Sequence, residues 1–200
     1  FKYPIEALVE ADRKYIGEWR NSRVAQSRPT GSGEAVIALS ESEIGKLVSP
    51  ALVRPIEGRN GFRRSPLSMS STPKYYAFYY SAKWCPPCRG FTPELVRFYN
   101  RMKQRGADFE IIFVSRDKNK GEMHAYMTDY GMKWPALRFD AARSNPRVNR
   151  YAGDGIPCLV FLDHRGEVLA DSYKGKQYVG PQSVLKKMES TLMKDLATRS

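Results

Sequence analysis

The sequence predicts an α/β fold, on three observations. Strand-like and helix-like apolar patterns alternate from residue 75 to residue 196, the signature of strands interleaved with helices. Residues 75–80 form an aromatic run without a charge, which suits a central strand covered on both faces. The 200 residues suffice to bury one sizeable core with segments to spare. We divide the chain into an N-terminal extension, residues 1–44, and one domain, residues 45–200.

In the extension, Ile5, Leu8, Val9, Tyr15, Ile16 and Trp19 recur at roughly helical spacing, and Pro4 is acceptable in a first turn, so a short amphipathic helix is expected over residues 4–20. Residues 21–33 are rich in Ser, Arg, Gly and Pro with little apolar content, which does not repay the entropy of ordering; a flexible linker is expected there. Residues 52–56 read as a strand, Arg59-Asn60-Gly61 as a turn, and the Ser-rich stretch ending at Pro73 as a surface connection.

The aromatic strand leads into Trp84-Cys85-Pro86-Pro87-Cys88. Phe91, Leu95, Phe98, Tyr99 and Met102 then mark a helix that stops near Gly106, with the cysteines in its first turn. Residues 109–114 are a strand, 121–130 a polar helix, 137–139 an edge segment and 147–151 a helical turn. Residues 157–162 form a strand that Asp163-His164-Arg165-Gly166 turns into 167–170 as a hairpin. Val184, Leu185, Met188, Leu192 and Leu196 mark a closing amphipathic helix.

Lys and Arg number 33 against 21 Asp and Glu, a formal net charge of +12. Such a field favours acidic partners or anionic surfaces without establishing nucleic-acid binding, and a solvated basic surface is the plainer reading. No specific nucleic acid is expected. No stretch approaches the ~18 consecutive apolar residues of a membrane-spanning helix, so no membrane span is expected. The sequence starts at Phe1, which leaves the compartment open between secreted or periplasmic, after trimming of a signal peptide, and cytoplasmic.

Three cysteines are too few for a disulfide-stapled scaffold, whereas two at C-x-x-C spacing read as a redox or metal pair. A metal site normally wants four ligands, and the two histidines, His124 and His164, stand at no ligand-like spacing. Both are expected at the surface, and neither metal nor cofactor is expected. Disulfide exchange needs an attacking thiolate and a second thiol within reach of the mixed disulfide. At a helix start, unpaired N–H groups and the dipole stabilise a thiolate. Cys85 is accordingly the acidic, exposed nucleophile and Cys88 the shielded resolving thiol. Pro86 and Pro87 fix the backbone between them and tune the potential.

Residues 80–93, Tyr-Ser-Ala-Lys-Trp-Cys-Pro-Pro-Cys-Arg-Gly-Phe-Thr-Pro, resemble the active-site segment of tryparedoxins and nucleoredoxins, in the thioredoxin superfamily. Residues 109–115 followed by Asp117 resemble that family's next strand, and Gly155-Ile156-Pro157 its cis-proline loop. Trp134 falls where the family carries a tryptophan loop near the active site. The resemblance covers residues 45–190. It implies a thioredoxin fold with a mixed sheet between helices, Trp84 flanking the nucleophile, and Pro157 in cis form facing the cysteines. Ile156 and Pro157 are then substrate-binding residues, Ile156 by pairing its backbone with a peptide.

Three positions depart from the family pattern. Cys158 stands where a threonine is usual, either as a small buried residue or as a modulator that traps the Cys85 disulfide. Tyr79 takes the place of the buried acid of thioredoxins proper, leaving water, the Tyr79 hydroxyl or another group to move the Cys88 proton. Lys133-Trp134-Pro135 is a loose version of the tryptophan loop. The function expected is dithiol-disulfide exchange with protein disulfide substrates and an upstream dithiol reductant or oxidant. The alternatives are a disulfide isomerase, a binding module that holds partners on the basic surface, and a metal chaperone.

Overall fold

The computed structural model describes residues 36–199, and the helix and linker expected within residues 4–33 lie outside them. A turn of 3-10 helix, Leu39–Glu41, leads into α1, Glu43–Val48. Ser42 caps α1 by accepting from the Gly45 N–H at 2.9 Å, and its Oγ also meets the Tyr76 hydroxyl at 3.3 Å. Ser42, Ile44 and Val48 are buried. The border drawn at 44/45 therefore falls inside a helix whose apolar side joins the core.

Two strands, β1 (Leu52–Pro55) and β2 (Phe62–Arg64), pair antiparallel around the expected turn, so a hairpin stands where one strand was expected. Next come β3 (Tyr75–Ser81), α2 (Pro86–Gln104), β4 (Phe109–Ser115), α3 (Lys120–Asp129), β5 (Ala136–Leu137), α4 (Phe139–Ser144) and α5 (Pro146–Asn149). They are followed by β6 (Cys158–Asp163), β7 (Val168–Asp171), the small pair β8 (Tyr173–Lys174) and β9 (Gln177–Tyr178), and α6 (Pro181–Ala197).

The main sheet has seven strands in the order β2-β1-β5-β4-β3-β6-β7. β4 runs parallel to β3 and to β5, whereas β6 is antiparallel to β3 and to β7. The sheet is mixed, as the resemblance implies. One expectation fails here. The segment at 137 is not an edge, because β5 lies inside the sheet between β4 and β1. β5 is two residues long, too short to show a strand period, and the strand that covers it comes from far earlier in the chain.

Alternation along the central strands splits the core into two layers. Ala77, Tyr79, Ile111, Phe113, Leu159 and Phe161 cluster with apolar residues of α2, α3 and α6. Tyr76, Phe78, Tyr80, Ile112, Val114, Cys158 and Val160 cluster with α1, Ala142 of α4 and Val148 of α5. Helices thus cover both faces, and β3 and β4, buried almost throughout, end together on the side where α2 begins.

Candidate active site

The chain leaves β3 at Ser81 and enters α2 at Pro86, with Cys85 as the N-cap residue in extended conformation. Prolines at the first helical positions lose nothing there, because those N–H groups have no intrahelical acceptor. The first amide of α2 that meets the cap is that of Cys88, and it donates to Cys85 Sγ at 3.3 Å. The two sulfurs are joined in a disulfide, with Cα atoms 5.2 Å apart. Pro86, Pro87 and Arg89 are exposed around them.

Facing the pair is the Ile156–Pro157 peptide bond, which is cis. Ile156 packs on the small cluster of Ala82, Cys85 and Cys88, and its carbonyl oxygen lies 3.7 Å from Cys85 Sγ. Trp84 stands at the rim, half exposed, with Nε1 donating to the Arg116 carbonyl at 3.0 Å. The structure therefore gathers Trp84, Cys85, Cys88 and Ile156 in one place. Cys85 differs from expectation in being only 3% exposed: its sulfur is bonded to Cys88 and covered by Ile156.

Asp117 is a residue whose importance the sequence reading missed. Its carboxylate is fully buried, accepting from the Lys83 N–H at 2.6 Å and the Ser115 hydroxyl at 2.8 Å. It thereby ties the segment entering Trp84 and Cys85 to the end of β4. Burial pushes its carboxyl above the usual aspartate range, against the opposing effect of those hydrogen bonds. The only signal in the sequence was the family-like Asp two residues after the strand.

Beneath the first turn of α2 lies a buried set of hydroxyls. Thr92 Oγ1 donates to the Cys88 carbonyl at 2.8 Å and bonds the hydroxyls of Tyr79 and Tyr126. Ser81 bonds both tyrosines at 3.0 Å. Burial holds the phenols of Tyr79 and Tyr126 above their ordinary range, so both stay protonated. The Tyr79 hydroxyl meets the carbonyl of Cys88 at 3.5 Å, so its contact there is with the backbone of the helix turn.

Two expected site residues are placed elsewhere. Cys158 is fully buried in the layer opposite α2, pairing across the sheet with Tyr80, and burial pushes its thiol up to about 11. Strand alternation puts Cys158 on that layer with Val160, while Leu159 faces the α2 side. Trp134 is also fully buried, edge-on to Tyr99 with ring centroids 5.2 Å apart. Tyr99 lies eleven residues beyond Cys88 along α2, about 16 Å at 1.5 Å per residue. Trp134 is thus a core residue and not part of a loop beside the cysteines.

The histidines are half-buried, not fully at the surface. His124 packs edge-on against Phe62 at 5.3 Å, and its buried Nε2 has no hydrogen-bond partner among the described residues. His164 sits in the turn between β6 and β7, where its carbonyl accepts from the Ile44 N–H. Among the described residues, no group of three or more His, Cys, Asp or Glu is placed to hold a metal ion. No helix among them is long and apolar enough to cross a membrane.

Residues 73–168 match the family model described as thioredoxin-like. Nucleoredoxin from Mus musculus is 40% identical over 116 residues, 58% of this chain and 26% of that protein. Tryparedoxin from Trypanosoma brucei brucei is 40% identical over 87 residues, 42% of this chain and 58% of that one. The chain belongs to the thioredoxin superfamily. Within it the chain is nucleoredoxin- and tryparedoxin-like, and it spans about a quarter of the nucleoredoxin it matches. Tryparedoxin II from C. fasciculata superposes with a TM-score of 0.53 at 26% identity, covering 71% of this thioredoxin-superfamily chain and 89% of that one. Tryparedoxin I from Crithidia fasciculata gives 0.51 at 27% identity, with 68% and 85% covered.

Proposed function

We propose that this chain is a thiol-disulfide oxidoreductase for protein disulfides, with Cys85 as nucleophile and Cys88 as resolving thiol. One observation carries the reading. The Cys85–Cys88 disulfide sits in the first turn of α2, the Cys88 amide aimed at Cys85 Sγ and the Ile156 carbonyl 3.7 Å away. When the pair is reduced, that N–H and the start of the helix favour the thiolate at Cys85.

The reduced Cys85 thiolate attacks one sulfur of a substrate disulfide, forming a Cys85–substrate disulfide and expelling the other sulfur as thiolate. Cys88 then loses its proton and attacks Cys85 Sγ, restoring the Cys85–Cys88 disulfide and releasing the second substrate sulfur, which takes up a proton. Two electrons have passed to the substrate, and an upstream dithiol returns the pair to the reduced state. In this reading Trp84, Ile156 and Pro157 form the substrate-binding rim, the Ile156 backbone pairing with an extended peptide, while Pro86 and Pro87 set the backbone between the sulfurs. Cys158 takes no step, since its thiol is buried in the opposite layer. The domain in this reading begins ahead of Ser42.

Reduction of insulin by dithiothreitol tests the proposal. Cys85→Ser should abolish catalysis, and Cys88→Ser should accumulate a mixed disulfide at Cys85. Undiminished insulin reduction by Cys85→Ser overturns it, and partner capture that survives the same change points to a binding module instead.

A further inference from the structure

The small hairpin β8–β9 is absorbed neither by the main sheet nor by the chemistry of the cysteines, yet its contacts converge on the loop that faces them. Tyr173 and Tyr178 are its cross-strand pair, with ring centroids 5.2 Å apart. The Tyr173 hydroxyl accepts from the Gly155 N–H at 2.6 Å, and the Tyr178 hydroxyl donates to the Pro157 carbonyl at 2.8 Å. The Tyr173 ring lies so close to Gly153 that a Cβ there would stand 1.9 Å from it. At the base, Ser172 bonds both the N–H and the carbonyl of Leu159, and its own carbonyl accepts from Val179 and Gly180. Positions 153, 155, 157 and 159 are thus all held from the hairpin, and Ile156, between two of them, turns its carbonyl to Cys85.

The outer part of the hairpin is exposed. Its turn is two residues long, with Gly175 at a φ of 61° in the first central position. Lys174 and Lys176 are exposed on it, and Tyr178 is 46% exposed although its hydroxyl is anchored. Asp154 is the exposed acid of the loop beneath, and Asp171, half-buried, accepts from the Tyr173 N–H.

We propose that β8–β9 is a recognition arm, in which Tyr173 and Tyr178 position the Ile156 edge while Lys174 and Lys176 select polypeptides carrying acidic side chains beside the disulfide. The inference rests on the function proposed above. An extended substrate strand paired with Ile156 passes next to Tyr178, whose exposed ring offers apolar contact, and its flanking side chains come under the field of two lysines. The chain's net charge of +12 acts in the same direction.

The test uses two disulfide-linked peptides that differ in having Glu or Lys on either side of the cysteine, with hydroxyethyl disulfide as an uncharged small substrate. The wild-type chain should prefer the Glu peptide in kcat/KM by about tenfold at low salt, and less at high salt. Lys174→Glu with Lys176→Glu should abolish or invert that preference. Tyr178→Phe, which keeps the ring and removes the donor, should raise KM for both peptides several-fold while kcat changes less. An unaltered Glu-to-Lys ratio in the double variant, with all three substrates turned over, overturns the arm. Failure of the wild-type chain to turn over any of the three overturns the oxidoreductase reading itself.

Discussion

Asp117 places a carboxylate where water does not reach, and this has a sign in pH. Because burial raises its pKa above the ordinary value near 4, the folded chain binds that proton more tightly than the unfolded one. Its contribution to stability is therefore full below pH ~4 and is lost as pH rises through the raised value, with a limiting slope of about 1.4 kcal/mol per pH unit. Asp117→Asn keeps an acceptor for the Lys83 N–H and should flatten that part of the profile; urea midpoints between pH 4 and 8 for the two proteins read the difference, and parallel profiles would refute it. Cys158 makes a second residue-scale prediction. With its thiol held up to about 11 and no exposed surface, reduced native protein at pH 8 should give two thiols to Ellman's reagent and a third only on denaturation. Three fast thiols in the native state would mean that Cys158 is open to solvent. At this scale the cysteine pair was legible because C-x-x-C is a local pattern and its helix follows at once. Asp117 was not, because its burial arises only when the end of β4 meets the loop that starts at Ala82.

Among elements, legibility followed length and period. β3, β4, β6, α2 and α6 carry their own apolar pattern and stand close to where the sequence puts them. β5 has two residues and was misread as an edge, and β8–β9 has two per strand and left no period to find. Its signal was a pair of tyrosines around Gly175, which shows in space as the clamp on the cis-proline loop. Gly153→Ala tests how tightly that clamp fits: the added methyl must displace the Tyr173 ring, an overpacking expected to cost about 1–3 kcal/mol. A Tyr173→Ala background should remove most of that cost, so a double-mutant cycle by chemical denaturation should give a coupling of comparable size. A coupling near zero would show that ring and glycine are independent. Trp134 illustrates the opposite error, in which a family pattern suggested a loop beside the site and packing on Tyr99 placed the indole in the core.

For the molecule as a whole, the notable feature is how many tyrosines the sheet buries. Tyr76, Tyr79, Tyr80, Tyr99 and Tyr126 are all held above the ordinary phenol range, chiefly by loss of solvent. Once unfolded, each ionises near pH 10, so the unfolded chain releases protons that the folded chain keeps. Stability must then fall as pH rises past about 10, by up to ~1.4 kcal/mol per pH unit for each phenol. The expected result is a cooperative alkaline transition in which the tyrosinate absorbance of these five phenols rises together with the loss of far-UV circular dichroism. Absorbance that reaches the value for all twelve tyrosines before dichroism is lost would contradict the two-layered core. That core was legible in outline, since aromatic strands without charge must be covered on both sides. The order of the seven strands was not, because β1 reaches β5 across more than eighty intervening residues.

The outermost strand on that side, β2, is three residues long and exposes Arg63 and Arg64. A second molecule trying to extend the sheet there would find little backbone to join and would bring guanidinium against guanidinium. The short, doubly positive border therefore disfavours edge-to-edge pairing of two chains through β2.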